Sequence, residues 1–255
     1  MKKRLYCAAF IAGALGLAGS YANAAEVKVL TAGAFKQVVL ALVPDYERQT
    51  GNHVTVDNGT TGQLKGRIDG GEAFDIVVIT PAVVDEMIAG DKVAAGSKIN
   101  LASVGIGVVV KEGAPKPAIG TVDQFKEALL KAKTVAYIDP ASGGSSGIYV
   151  DKLLEKLGIA DQIRPKAKLK KGGYVAELIA SGEAELGIHQ ISEIVPVKGV
   201  TLVGPLPKEI QNTTTYAAGL STSTKEKDAA KELIEYLSGA DAAAVLKSKG
   251  MVPAK

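Results

Sequence analysis

The residues best suited to chemistry lie in Asp139–Gly147, which reads DPASGGSSG and places the hydroxyls of Ser142, Ser145 and Ser146 in a glycine-rich loop opening onto a helix. Hydroxyls together with the unpaired N–H groups of a helix start suit a carboxylate or a phosphate, and the glycines let the backbone approach it closely. The loop is not a Walker A, because no Lys-Ser/Thr pair follows its last glycine. It also lacks the first G-x-G turn of a dinucleotide fingerprint. Lys36 directly follows the first loop of the chain and can add positive charge to an anion site. The only histidines are His53 and His189. His53 opens a strand in polar surroundings and reads as a surface residue. His189 ends an apolar strand, where a buried, hydrogen-bonded histidine and a ligand contact are both open readings. Tyr149 and Tyr174 can touch ligand or simply pack. Lys65, Arg67 and the basic run Lys166–Lys171 read as solvated faces.

Composition excludes several classes. Lys2, Lys3 and Arg4, an apolar run from Ala8 to Ala18 and the small-x-small triplet Ala22-Asn23-Ala24 form a secretory leader. Its apolar core is shorter than the ~20 residues of a membrane span. The expected product begins near Ala25 and is periplasmic. The chain has 30 Lys+Arg and 27 Asp+Glu, and without the three basic leader residues the two signs balance at 27 each. A nucleic-acid partner is therefore not expected. The one cysteine, Cys7, lies in the leader, so disulfides and thiol catalysis are excluded from the exported chain. Neither a metal site nor a cofactor is expected, since no His-rich motif or calcium loop occurs, and carboxylates alone are the one metal-ligand set left open. Few aromatics and no Trp argue mildly against a sugar ligand.

The elements that must position these residues alternate. Val27–Thr31, His53–Val56, Asp75–Thr80 and Ser103–Val110 read as strands. Between them a helix carries Val39, Leu42, Val43 and Tyr46 on one stripe, and Gln63–Asp69 reads as a second. The pattern restarts with helix Asp123–Ala132, strand Thr134–Ile138, helix Gly147–Leu157 capped by Gly158, helix Tyr174–Ser181 and strand Glu185–Ile188. Thr213–Leu220 reads as an extended crossover, and helices Lys225–Leu237 and Ala240–Lys247 end the chain. Such alternation predicts parallel strands covered by helices on both faces. It predicts an α/β chain of two lobes, 25–103 plus 214–255 and 104–213, hinged by two crossovers around a ligand cleft.

Val29–Phe35 (VLTAGAF), Gly59–Ile68 (GTTGQLKGRI), Phe74–Ile79 (FDIVVI) and Gly182–Gln190 (GEAELGIHQ) together resemble the molybdate-binding-protein family. These are periplasmic solute-binding proteins of ABC importers with the type 2 two-lobe periplasmic-binding-protein fold. The resemblance spans the chain after the leader. It implies a small anionic ligand, an ABC permease partner in the inner membrane and, by default, a monomer. It places ligand-binding positions at Ala34, at Thr61, at Gln190 beside His189, and at Val175 as a backbone donor; Phe35, Lys36, Thr60, His189, Ser142, Ser145 and Ser146 join them as candidate ligand-binding residues. Two positions depart from the family: Ala34 stands for a serine and Gln190 for a tyrosine. Losing a hydroxyl and a phenol points away from molybdate and toward an organic polycarboxylate.

The stretch GEAELGIHQISE, with Gly113–Pro117 and Val135–Tyr137, also resembles a smaller branch of the family that includes a periplasmic aconitate isomerase. That resemblance implies an alternative, an allylic proton shift in a tricarboxylate with His189 or Lys36 as base.

Overall fold

The computed structural model describes residues 24–254, so the expected leader up to Asn23 lies outside the described residues. Strand β1 (Glu26–Ala32) leads into α1 (Gly33–Thr50), β2 (His53–Gly59), α2 (Thr61–Asp69), β3 (Ile76–Ile79), α3 (Pro81–Ala89) and the long β4 (Ile99–Lys111). A second series follows: α4 (Val122–Lys131), β5 (Val135–Ile138), α5 (Ser145–Lys156), α6 (Ala160–Ile163), β6 (Ala167–Lys170), α7 (Ala176–Ala180), β7 (Leu186–Gln190), α8 (Ile191–Ile194) and β8 (Val200–Pro205). Strand β9 (Thr213–Leu220) returns to the first series, and α9 (Lys227–Ser238), α10 (Ala240–Ser248) and β10 (Val252–Pro253) complete it.

The strands lie in the order β2-β1-β3-β9-β4-β7-β5-β6, with β8 and β10 also pairing with β4. Only part of this sheet is parallel, contrary to the reading from alternation. β1 runs parallel to β2 and β3, and β5 parallel to β6 and β7. β9 is antiparallel to β3 and to β4, and β7 is antiparallel to β4. The physical reason lies in the connections. Helical crossovers produce the parallel pairs, whereas β4 and β9 pass between the two halves as extended chain and meet their neighbours head to tail. Residues 99–105 of β4 pair with β9 and, at 102–103, with β10, and residues 106–111 with β7 and β8, so one strand changes partners between Gly105 and Ile106.

Each half is a three-layer sandwich. Along β1, Val27 and Val29 pack with Phe35, Val38 and Leu42 of α1 on one face, while Leu30 packs with Leu64 and Ile68 of α2 on the other. Along β5, Val135 and Tyr137 join Phe125 and Leu129 of α4, while Ala136 and Ile138 join Val175 and Ile179 beside α7. This is the period-2 alternation of a strand buried on both faces.

Helix α3 was not anticipated, although Thr80 followed by Pro81 is a helix-start signal, with proline at N1. Within the basic run, Lys168 and Lys171 are exposed as read, around edge strand β6, while Lys166 departs from that reading: its Nζ donates to the carbonyls of Leu129, Leu130 and Ala132 at 2.9, 2.8 and 2.5 Å. That ammonium caps the end of α4, where the dipole favours a cation. His53 is exposed, as its polar surroundings predict.

Candidate functional site

The carboxyl ends of β1, β2, β5 and β7 face one cavity of about 370 Å³ between the two halves. That is the usual place for a ligand in an open α/β sheet. Three helix starts meet on it. From the first half come Gly33 and Ala34, opening α1, and Thr60 and Thr61, opening α2; from the second come Gly144, Ser145 and Ser146, opening α5. Neither α1 nor α5 has a side-chain cap, so their first N–H groups compete with no capping oxygen. Helix α2 is capped by Thr60, whose Oγ1 accepts from Gln63 N at 3.1 Å and donates to the Ser142 carbonyl across the cleft.

The glycine loop needs its glycines. A Cβ on Gly147 would lie 2.3 Å from the Ile138 carbonyl oxygen. Gly143 has φ +72°, and a Cβ there would lie 2.7 Å from Gly62 Cα. The two halves thus meet backbone to backbone, and Gly62 N donates to Gly143 O at 3.2 Å. Gln63 Nε2 reaches Lys171 O at 2.8 Å and Gln37 Nε2 reaches Tyr174 Oη at 2.6 Å, adding two more bonds across the cleft.

Side chains complete the wall. Tyr216 Oη donates to Gln190 Oε1 at 2.9 Å, and Gln190 Nε2 donates to Ser145 Oγ at 3.1 Å. Burial holds the Tyr216 phenol above its ordinary range, so it stays a donor. His189 is 1 % and Glu193 6 % exposed. His189 Nε2 lies 3.1 Å from Glu193 Oε2, four residues apart across the β7–α8 junction. Burial pushes the Glu193 carboxyl up to about 8. Burial, and then Lys170, push the His189 imidazole down to about 3. Both shifts oppose a fixed ion pair and favour a neutral pair holding one proton between them. Among the described residues, His189 Nδ1 has no hydrogen-bond partner.

Of the positions expected from sequence, Ala34, Thr60, Thr61, Ser145, Ser146, His189 and Gln190 lie in the cavity wall. Phe35 does not: it is fully buried in the core beneath α1. Lys36 lies beyond the first turn of α1, half-buried and outside the wall. Ser142 points back into its own turn, with Oγ donating to Asp139 O at 2.7 Å. Val175 is fully buried against α7, and the backbone that reaches the cavity nearby is Gly172–Gly173. Tyr149 is likewise tied elsewhere, donating to Ile210 O at 2.7 Å.

Sequence reasoning missed Glu193 and Tyr216. The His-x-x-x-Glu spacing was a local signal for the first. No local signal marks Tyr216, whose phenol β9 brings to Gln190. The wall contains no Lys or Arg. Among the described residues no group of three His, Cys, Asp or Glu is arranged to hold a metal ion, and no helix is long and apolar enough to cross a membrane.

Residues 27–252 match the family described as bacterial extracellular solute-binding protein. An aconitate isomerase from a Pseudomonas species is 32% identical over 94% of both chains. A molybdate-binding protein of Azotobacter vinelandii is 29% identical over 92% of this chain and 93% of that one. Among solved structures, the periplasmic molybdate-binding protein of Azotobacter vinelandii superposes with a TM-score of 0.77 at 21% identity, covering 90% of this chain and all of that one. That likeness shows the two-lobe periplasmic-binding-protein fold.

Proposed function

The chain belongs to the bacterial extracellular solute-binding protein family, and from that premise we propose that it is a periplasmic receptor that closes its lobes, 25–103 plus 214–255 and 104–213, over a small organic polycarboxylate for delivery to an ABC permease. The observation that carries the reading is the meeting of the starts of α1, α2 and α5 on one cavity without a cationic side chain. Oriented N–H dipoles then supply the attraction, and they gain strength as closure expels water. Ala34 brings no hydroxyl to the wall, whereas Glu193 and His189 bring a carboxyl and an imidazole. A compact metal oxyanion gains nothing from that pair. A longer carboxylate can set one end on the helix starts and another against the Gln190–Ser145–Tyr216 ring.

Thermal shift of the exported chain against molybdate, sulfate, phosphate, citrate, cis-aconitate and trans-aconitate tests the reading. A ligand at 100 times its Kd adds about 2.7 kcal/mol, a rise of roughly 5–10 °C for a domain of this size. A rise with molybdate alone would replace the polycarboxylate by the metal oxyanion.

A second reading is favoured by the His189–Glu193 pair and by the likeness to an aconitate isomerase. A proton carrier in the wall can take a proton from the CH₂ beside a double bond and return it at the far alkene carbon. The C–H electron pair becomes the new double bond, with no net redox change. Bound cis-aconitate that neither isomerises nor gains deuterium in D₂O would exclude this activity for that substrate.

A further inference from the structure

We infer that the single proton shared by His189 and Glu193 decides whether the cavity accepts an anion: with it the wall is neutral and the ligand is held, without it the wall is negative and the ligand is expelled. The inference rests on the anion-binding reading above and assigns Glu193 the part of specificity residue.

The geometry makes Glu193 a competitor for the ligand's own place. Its Oε1 lies 2.4 Å from where a Cβ of Gly33 would stand, at the start of α1 that faces the cavity. An ionised carboxylate there would occupy the field that attracts the ligand and repel it in a space with little water. No unpaired side-chain cation facing the pair offsets that charge. The wall holds no Lys or Arg. Lys170, on β6, is the cation that acts on His189, and its Nζ is 2.9 Å from Glu177 Oε2 of α7. Tyr216 of β9 and Tyr174, the latter bonded to Gln37 of α1, face Glu193 as neutral phenols. Only the shared proton keeps this wall uncharged.

That proton also sets the polarity of His189. Whether it rides on Glu193 Oε2 or on His189 Nε2, the other ring nitrogen, Nδ1, carries a hydrogen. Nδ1 is buried and has no partner among the described residues, in a side chain that lines the cavity. If the proton is lost, the remaining hydrogen bonds Nε2 to the carboxylate and Nδ1 becomes a bare acceptor. Deprotonation therefore adds a negative charge and removes a donor in one step, and the titration belongs to the pair.

The test is calorimetry of the exported chain with cis-aconitate and with molybdate from pH 7 to 9.5, in the wild type and in Glu193→Gln. The wild type is expected to lose affinity about tenfold per pH unit above the pair's titration near pH 8. Glu193→Gln is expected to show no such step, whatever its absolute affinity. A wild-type profile flat to pH 9.5, or an equal fall in the variant, overturns the inference. Carbon-13 and nitrogen-15 NMR of the free protein gives a readout that needs no ligand. The Glu193 carboxyl and the His189 ring should lose one proton in a common step, and a pair already deprotonated at pH 7 overturns the inference. Failure of both anions to bind at pH 7 would count instead against the anion-binding reading, and the NMR result still decides the state of the pair.

Discussion

The two sides of the cleft line one cavity with different materials. The first side presents mostly backbone, with the starts of α1 and α2 carrying Gly33, Ala34, Thr60 and Thr61. The second adds side chains, Ser145, Ser146, His189, Gln190 and Glu193, to the start of α5 and the backbone of Gly172–Gly173. The contrast separates two jobs. Backbone dipoles give a fixed attraction that no side-chain truncation removes and no pH in the physiological range titrates. Side-chain groups give selectivity that can be removed atom by atom or switched by a proton. Tyr216 is the exception, a side chain from the first side that reaches across to Gln190 and Ser145.

Breaking that bridge should produce the largest effect. Tyr216→Phe leaves the buried Gln190 carbonyl without its donor, and an unmade buried hydrogen bond costs about 1–3 kcal/mol. Urea unfolding should show the loss in stability, and calorimetry a comparable loss in affinity as the ring on the second side loosens. An unchanged midpoint and affinity would mean that the two sides do not depend on this bridge.

The next effect is a pH dependence confined to the second side. Glu193 is raised from an ordinary 4.5 to about 8, so its neutral form favours folding at low pH and that stability is lost as pH rises from 4.5 through 8. His189 is lowered from 6.5 to about 3, so its contribution is present above 6.5 and lost as pH falls toward 3. The opposing slopes cancel between 4.5 and 6.5, where the pair's contribution is greatest. From pH 6.5 to 8 stability should fall by about 2 kcal/mol, and Glu193→Gln should abolish that fall in denaturant titrations. A fall that survives in the variant must come from other groups.

The smallest effects sharpen the first side. Thr61→Ala should cost about 0.5–1.5 kcal/mol of binding, the worth of one ordinary hydrogen bond. Lys36→Ala, outside the wall, should leave affinity within about 0.5 kcal/mol of wild type. If Lys36→Ala costs more than Thr61→Ala, the first side attracts its ligand by a charged side chain rather than by backbone.

The difference in materials also explains which parts of the site were legible. Helix starts are local features. The glycine–serine loop before α5 and the Thr60–Gln63 capping pattern can be recognised from neighbours a few residues apart. Ser142 shows the limit of local reading, because it shares the loop with Ser145 yet bonds back to Asp139. Lys36 shows another: a cation near a helix start in sequence need not face what the helix start faces. Strands with a strong apolar pattern, such as β3 and β5, were recognisable. The antiparallel course of β4 and β9 was not, because alternation along the chain does not encode how a long strand divides its pairing among four partners.

The sequence by itself determined the alternation of strands and helices, the glycine loop, the export signal as an expectation, and the absence of thiol chemistry after residue 7, because each depends on composition or on neighbours within a few positions. Tertiary structure alone decided that Glu193 sits against Gly33, that Tyr216 bonds to Gln190, and that a histidine nitrogen and a carboxylate oxygen meet 3.1 Å apart in a wall without Lys or Arg. Those facts depend on burial and on segments far apart in the chain meeting in space. Burial, which no single residue carries in its identity, is what raises the Glu193 carboxyl above the ordinary glutamate range.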